Sequence, residues 1–228
     1  MLKIKKGARN FCARAGGNYM KKFRLLVCGI ASLCIMGAFV FGACDGGNEN
    51  GGDNGGDNGG NVTEQPEVGT DVGDLCPDFE ARIYTQVETG GDGLAAELSD
   101  ETYSPEDSRG KVTVINFWGT WCNPCMNEMP YILQLAEQYA DSVEVVAIHS
   151  TRVETNIATF LCEQGMIDSE VVFALDDPTQ STSIYETLAG PGVYPYTLVL
   201  DENGVIVEKF ISAIDSYAAL LEHVTPYL

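Results

Sequence analysis

The chain has 228 residues, of which 45% are hydrophobic and 9% aromatic, so it is long enough to bury the core of one domain. Its net charge of −20 is divided unevenly: residues 1–44 contain eight Lys and Arg and no acid, whereas residues 45–228 contain five Lys and Arg and all 33 Asp and Glu, a net −28. A body of that charge repels phosphate backbones, which argues against a nucleic acid as partner.

The N-terminal residues 1–44 have the pattern of a targeting segment. Lys21, Lys22 and Arg24 precede an uncharged run of 20 residues from Leu25 to Cys44. This is the order of a basic n-region and an apolar h-region in a signal sequence. Met20 is an alternative start that would supply the same n-region.

Cys44 is the candidate lipidation site. The apolar run ends in Phe41-Gly42-Ala43-Cys44, and small residues before a cysteine resemble the bacterial lipoprotein signal, in which that cysteine is lipidated. Two alternatives stay open: an uncleaved span, because about 20 apolar residues can cross a bilayer, or ordinary cleavage and release. The lipid anchor and the uncleaved span both tether the body outside the cytoplasmic membrane.

Residues 45–71 predict a disordered linker rich in Gly, Asp and Asn. The stretch 45–61 reads DGGNENGGDNGGDNGGN and contains no apolar residue, so it cannot bury a core. About 30 residues of such chain have a root-mean-square reach of roughly 30 Å. We therefore predict a targeting segment at 1–44, a passive spacer at 45–71 and a folded domain at 72–228.

The folded domain alternates strands and helices. Residues 80–108 are ambiguous, with two short strands around a turn at 90–93. Beyond them the β-branched and amphipathic patterns predict strands at 111–117, 143–148, 171–175, 196–200 and 205–211, and helices at 123–139, 154–164, 182–188 and 215–224.

Three positions punctuate these elements. Pro130 should kink the first helix, the tetrapeptide 201–204 (DENG) predicts a hairpin turn, and Asp215 is the candidate N-cap of the last helix. Alternation followed by a hairpin predicts an α/β fold with a mixed β-sheet and helices on both faces.

The motif that carries chemistry is Trp121-Cys122-Asn123-Pro124-Cys125, between a predicted strand and a predicted helix. A cysteine at a helix N-terminus meets unpaired N–H groups and the positive end of the dipole, which stabilise the nucleophilic thiolate. A second cysteine three residues later lies one turn on, close enough to form a disulfide. Pro124 falls in the first turn, where a missing N–H is tolerated.

A Trp-Cys-x-x-Cys motif after a strand is similar to thioredoxin, and the longer string 110–130 (GKVTVINFWGTWCNPCMNEMP) resembles the TlpA/ResA-type, membrane-tethered branch. Residues 194–204 (YPYTLVLDENG) are similar to that family's cis-proline strand. The resemblance covers about 73–228 and implies a thioredoxin-like fold without a cofactor.

The resemblance also implies roles for individual residues. Cys122 would attack a substrate disulfide and Cys125 would resolve the mixed disulfide. Pro195 would be cis and face the dithiol, offering a backbone edge on which a substrate chain can pair. Glu128 would tune the cysteine pKa values and relay protons, the alternative being a solvated acid. The substrate surface would be shaped by Trp118, Trp121, Tyr194 and Pro195.

Some positions depart from the family pattern. Thioredoxins carry a buried Asp where this chain has Asn116, which cannot titrate, so a proton relay must use Glu128 or water. We interpret Cys76 and Cys162 as small hydrophobic residues that are buried in the core. A disulfide between them stays open.

Three other functions were weighed. Cys76, Cys122, Cys125 and Cys162 supply four zinc ligands, but no second closely spaced pair exists. A peroxiredoxin-like thiol peroxidase shares the fold, but its Pro and Thr spacing before the reactive cysteine is missing. In a non-catalytic binding module the cysteine pair would be a structural disulfide. The loop that a CxxC disulfide closes is too short to stabilise the fold much.

Met126 follows the second cysteine where c-type haem attachment needs His, which excludes that chemistry. His149 and His223 are interpreted as ordinary residues. The Asn-Pro pair between the cysteines lacks a His whose charge would hold the thiolate, which favours a reductant. The expected partners are a membrane thiol donor and oxidised extracytoplasmic proteins, either apocytochrome c or general repair substrates.

Overall fold

The computed structural model describes residues 65–89, 93–150, 156–177, 182–189 and 192–228. The predicted targeting segment, with Cys44, and the linker up to residue 64 lie outside these ranges. Among the described residues, no helix has both the length and the apolar character needed to cross a membrane.

Seven strands and four α-helices make up the described chain. The strands are β1 (Ala81–Thr89), β2 (Gly93–Tyr103), β3 (Val112–Trp118), β4 (Val143–Ser150), β5 (Val172–Asp176), β6 (Tyr196–Leu200) and β7 (Ile206–Phe210). The helices are α1 (Asn123–Gln138), α2 (Ile157–Glu163), α3 (Ile184–Leu188) and α4 (Tyr217–Val224). Short 3-10 turns occupy Pro105–Ser108 and Thr225–Tyr227.

The strands form one mixed sheet in the order β2-β1-β5-β4-β3-β6-β7. The central strands β3, β4 and β5 are parallel, and β1, β6 and β7 pair antiparallel with their inner neighbours. Every residue of β3 is buried, as its β-branched composition predicts. The predicted mixed sheet is confirmed.

Helices cover both faces of this sheet. One core cluster joins Val114 and Trp118 of β3 to buried residues of α1, α2 and α4. A second cluster joins Ile115 and Phe117, which alternate with the first pair along β3, to buried residues of α3. The prediction of helices on both faces is therefore confirmed.

Within the ambiguous region 80–108, β1 and β2 form a long antiparallel pair, with nine residues in β1 and eleven in β2. β2 is an edge strand and both strands mix buried, half-buried and exposed residues. An edge pair of this kind lacks the continuous apolar run that marked β3, so the sequence left it undecided.

One local prediction differs from the structure. The N-cap of α4 is Ser216, whose side chain accepts the Ala219 N–H, and not Asp215, because the helix begins at Tyr217. α1 continues across Pro130 as one helix, and the kink expected there stays a prediction. The DENG turn is confirmed, since Gly204 N–H donates to the Asp201 carbonyl at 2.9 Å.

The last residues of the predicted linker make hydrogen bonds to the folded domain. Leu75 N–H donates to the Glu67 carbonyl at 2.8 Å, and Lys209 of β7 binds the Thr70 carbonyl and the Asp71 carboxylate at 2.8 and 2.9 Å. These bonds hold residues 67–71 beside β7, so the ordered contacts begin before residue 72.

Candidate active site at the end of the central strand

The paired cysteines lie where β3 ends and α1 begins. Cys122 and Cys125 form a disulfide, with 2.04 Å between the sulfurs and 5.3 Å between the Cα atoms. Cys122 is the N-cap of α1, and its Sγ accepts the Cys125 N–H at 3.2 Å. Cys122 is 5% exposed and Cys125 is fully buried. Of the two sulfurs, that of Cys122 is the one nearer to solvent and to the free N–H groups of the helix end.

The two tryptophans of the motif lie in different environments. Trp121 is half-buried and packs on Gly119, where a Cβ atom would stand 2.6 Å from the indole ring. Trp118 is fully buried against His149, Phe160 and Phe173. β3 directs the Trp118 ring into the core beneath the dithiol, so any effect of Trp118 on the shape of the substrate surface is indirect and stays a prediction.

The Tyr194–Pro195 peptide bond is cis, as predicted. Pro195 directly precedes β6, which runs antiparallel to β3 with Phe117 opposite Tyr196. This register brings the start of β6 to the end of β3. The half-buried Tyr194 ring meets the Trp121 ring edge-on at 5.1 Å between centroids. Trp121, Tyr194 and the cis peptide therefore lie together beside the cysteines.

Glu128 is fully buried on the core side of α1, one turn after Cys125. Its Oε1 accepts the Asn116 side-chain N–H at 2.8 Å and its Oε2 accepts the Ile214 backbone N–H at 2.9 Å. Burial raises the pKa of this carboxyl to about 7, although the two hydrogen bonds favour the charged form. The alternative of a solvated acid is wrong.

Asn116 connects Glu128 to β6. The residue lies directly opposite Thr197, and its Nδ2 also donates to Thr197 Oγ1 at 3.0 Å. Its Oδ1 is buried and has no hydrogen-bond partner within the described part of the chain. Because an amide cannot titrate, Glu128 is the ionisable group of this cluster.

His149 is a site residue that the sequence interpretation missed. It is 1% exposed, its ring meets Trp118 edge-on at 5.1 Å, and its Nε2 accepts the Thr120 N–H at 3.4 Å. Burial lowers the pKa of this imidazole to about 4, so the ring is neutral at pH 7. The available signal was its place at the end of β4, because the carboxyl ends of neighbouring parallel strands share one edge of a sheet.

Cys76 lies away from the dithiol. It is a buried free thiol in the α3-side core cluster, whereas Cys122 and Cys125 belong to the α1-side cluster. Burial raises the pKa of the Cys76 thiol to about 12. The open pairing of Cys76 with Cys162 is therefore wrong, and the four-cysteine zinc alternative fails because the sheet separates its ligands.

Comparison with known proteins then assigns the chain to a family. A family model described as Redoxin matches residues 71–220. The chain belongs to the Redoxin family. Thioredoxin-like protein YneN of Bacillus subtilis is 33% identical to this Redoxin over 140 residues, which are 61% of this chain and 71% of that protein. Thiol-disulfide oxidoreductase ResA of Bacillus cereus is 29% identical over 136 residues, which are 58% of this chain and 75% of that protein.

The fold of this Redoxin also matches solved structures. The thioredoxin domain of a thiol-disulfide oxidoreductase from Bacteroides vulgatus aligns with a TM-score of 0.51 at 19% identity, covering 68% of this chain and 98% of that one. The predicted thioredoxin-like α/β fold is confirmed. With its close cysteine pair and its ResA relatives, this Redoxin is a thiol–disulfide oxidoreductase of the ResA type.

Proposed function

We propose that this Redoxin is a membrane-tethered, extracytoplasmic reductase of protein disulfides. The supporting observation is the placement of the cysteine pair, with Cys122 at the N-terminus of α1 near the surface and Cys125 fully buried one turn behind it. A substrate disulfide can then reach the sulfur of Cys122, while the sulfur of Cys125 stays shielded from solvent.

The reaction begins with the reduced pair. The Cys122 thiolate attacks one sulfur of the substrate disulfide, and the other substrate sulfur leaves as a thiolate that takes up a proton. The Cys125 thiolate then attacks Cys122 Sγ, which breaks the mixed disulfide and releases the second substrate thiol. The substrate gains two electrons and the enzyme loses them, ending as the Cys122–Cys125 disulfide. A membrane thiol donor restores the reduced pair.

Glu128 is the proposed proton acceptor for the buried cysteine. It follows Cys125 by three residues, which places the two side chains on the same face of α1. A carboxyl with a pKa of about 7 can take the Cys125 proton when the mixed disulfide is resolved and return it later.

Two features favour the direction toward reduction. The Asn123-Pro124 pair contributes no positive charge to hold the Cys122 thiolate, and an ionised Glu128 near Cys125 disfavours a second anion. Both raise the free energy of the reduced pair relative to the disulfide. A less stable dithiolate is a stronger electron donor.

The tether and the substrates follow from the sequence. Lipidation at Cys44 would hold the domain on the outer face of the membrane, with residues 45–64 as the spacer. Substrate docking is assigned to Trp121, Tyr194 and Pro195. Oxidised extracytoplasmic proteins are the substrates, with apocytochrome c as one candidate.

The test is the reduction potential of the full chain in detergent, measured at pH 7 in thiol–disulfide buffers. We expect a two-electron couple at about −270 mV or lower, the range of thioredoxin. Cys122→Ser and Cys125→Ser should each abolish the couple. A potential near about −120 mV would contradict the reductase direction, and survival of the same couple at an unchanged potential after either substitution would contradict the roles of the two cysteines.

A further inference from the structure

The short helix α3 is fixed to the end of β5 by Asp176. The Asp176 carboxylate accepts the Ser183 hydroxyl at 2.6 Å, the Ile184 N–H at 2.8 Å and the Tyr185 N–H at 3.2 Å. These bonds hold the first turn of α3 to a central strand of the sheet. The position of Tyr185 is therefore set by the sheet as well as by its own helix.

Tyr185 in turn fixes the two residues before the cis-proline. Its hydroxyl accepts the Val193 N–H at 2.8 Å and donates to the Val193 carbonyl. Its ring stacks on Tyr194, with 4.4 Å between centroids and 16° between planes. The same ring meets Phe117 of β3 edge-on at 5.3 Å. Tyr185 is 3% exposed, so it contacts this segment from below.

The rings form a row that ends beside the reactive sulfur. Tyr185 stacks on Tyr194, and Tyr194 meets Trp121, the residue directly before Cys122. Val193 is 48% exposed, and Tyr194 and Trp121 are half-buried. The surface that Val193, Tyr194 and Trp121 form beside Cys122 is therefore apolar, and a buried tyrosine holds it in place.

We propose that Tyr185 is a positioning residue for substrate selection. Through Val193 and Tyr194 it holds an apolar surface that favours an extended disulfide-bearing chain with an aromatic or aliphatic side chain beside its cysteine. This inference rests on the proposed role of the residues next to cis-Pro195 in docking the substrate. Tyr185 itself does not touch the reacting sulfurs.

Tyr185→Phe tests the positioning role of the tyrosine hydroxyl, because the substitution keeps the ring stack and removes only the two hydrogen bonds to Val193. Tyr103→Phe is the matched control, since Tyr103 is also buried and its hydroxyl bonds to Ser108 Oγ at 3.0 Å and not to the segment before the cis-proline. Each full-length variant would be assayed with two disulfide-linked peptides that differ only in Phe or Ser beside the cysteine, and with oxidised glutathione.

We expect the unchanged protein to reduce the Phe peptide with the lower KM. Tyr185→Phe should raise that KM about fivefold with kcat unchanged, the size expected for one or two lost hydrogen bonds. The reduction potential and the rate with oxidised glutathione should not change. Hydrogen exchange at the Val193 amide should accelerate, and Tyr103→Phe should change none of these.

Other outcomes overturn the inference. An unchanged KM in Tyr185→Phe while the Val193 amide exchanges faster would show that the held segment does not select substrates. A shifted reduction potential would show that Tyr185 acts on the dithiol instead. Equal KM values for the two peptides with the unchanged protein would contradict the proposed preference for an apolar side chain beside the substrate cysteine. If the unchanged protein reduces neither peptide, the proposed reductase function fails, and this inference fails with it.

Discussion

Glu128 links the protonation of the active site to the stability of the fold. Its pKa is raised from 4.5 to about 7 in the folded protein, mainly by burial. Between these values the folded state keeps the proton and the unfolded chain loses it. The stability that the neutral acid contributes is therefore fully present below pH 4.5 and is lost as the pH rises through about 7.

Glu128→Gln should remove this pH dependence. The shift corresponds to roughly 3 kcal/mol in the free energy of unfolding between pH 4.5 and pH 8, and an amide of the same shape stays neutral across that window. We expect urea titrations of the variant to lack the loss of stability that Glu128 causes as the pH rises, and to give a higher stability than the wild type above pH 7. The rise in stability between about pH 4 and pH 6.5 that follows from the lowered pKa of His149 should remain in both proteins.

Glu128→Gln should also lower the catalytic activity. Without a titrating carboxyl the proton of Cys125 has no local acceptor, so we expect turnover to fall about 100-fold or more, the size typical for loss of one acid–base group. Glu137→Gln is the control, since Glu137 is exposed on the same helix. If the free energy of unfolding of Glu128→Gln changed with pH as it does in the wild type, the assignment of this pH dependence to Glu128 would be contradicted.

At the level of elements, the five-residue helix α3 is too short to be stable by itself. Its first turn depends on Asp176 at the end of β5, which accepts three hydrogen bonds there. The anchor of α3 is thus a side chain of a neighbouring strand in addition to its own cap, Ser183.

Asp176→Ala should loosen α3 and, through Tyr185, the segment before cis-Pro195. We expect the free energy of unfolding to fall by about 2 kcal/mol, since buried donors lose their acceptor, and the KM for a peptide disulfide to rise. The reduction potential should stay unchanged. Asp141→Ala, at an exposed position, provides the control. If chemical denaturation gave Asp176→Ala the same free energy of unfolding as the wild type, the anchoring role of Asp176 would be disproved.

β1 and β2 show why the sequence predicted some elements only as ambiguous. Central strands such as β3 are buried on both faces and consist of apolar or β-branched residues, which a sequence pattern reveals. β1 and β2 instead mix buried, half-buried and exposed residues, so their sequences contain no such run. Their pairing partner, and not their composition, decides that they form.

At the scale of the whole molecule, negative charge opposes the compact state. Residues 45–228 carry a net −28, and such self-repulsion destabilises a folded chain. Salt shortens the Debye length from about 30 Å at 0.01 M to about 8 Å at 0.15 M, which weakens this repulsion.

Raising NaCl from 10 to 150 mM at pH 7.5 should therefore raise the thermal midpoint. Scanning calorimetry at both concentrations measures the change, and the same pair of scans at pH 4 is the control, because protonated carboxyls repel less. A midpoint that falls or stays constant with salt at pH 7.5 would show that local ion pairs, and not net charge, dominate.

The chain's local patterns determined the reaction chemistry and the order of most elements. The cysteine pair between a strand and a helix, the proline before β6 and the apolar runs of β3 and β4 are all features of neighbouring residues, which makes them readable without a fold. They were sufficient for the oxidoreductase activity and for the mixed sheet covered on both faces.

Only the tertiary structure decided which distant residues meet. Glu128 binds the backbone of Ile214, 86 residues away, His149 accepts the N–H of Thr120, and Trp118 points inward. Such contacts depend on strand register and on how helices pack on the sheet, and a shift of one residue in register turns a side chain to the opposite face. The buried acid, the neutral imidazole and the aromatic row beside Cys122 follow from that packing and from no local pattern.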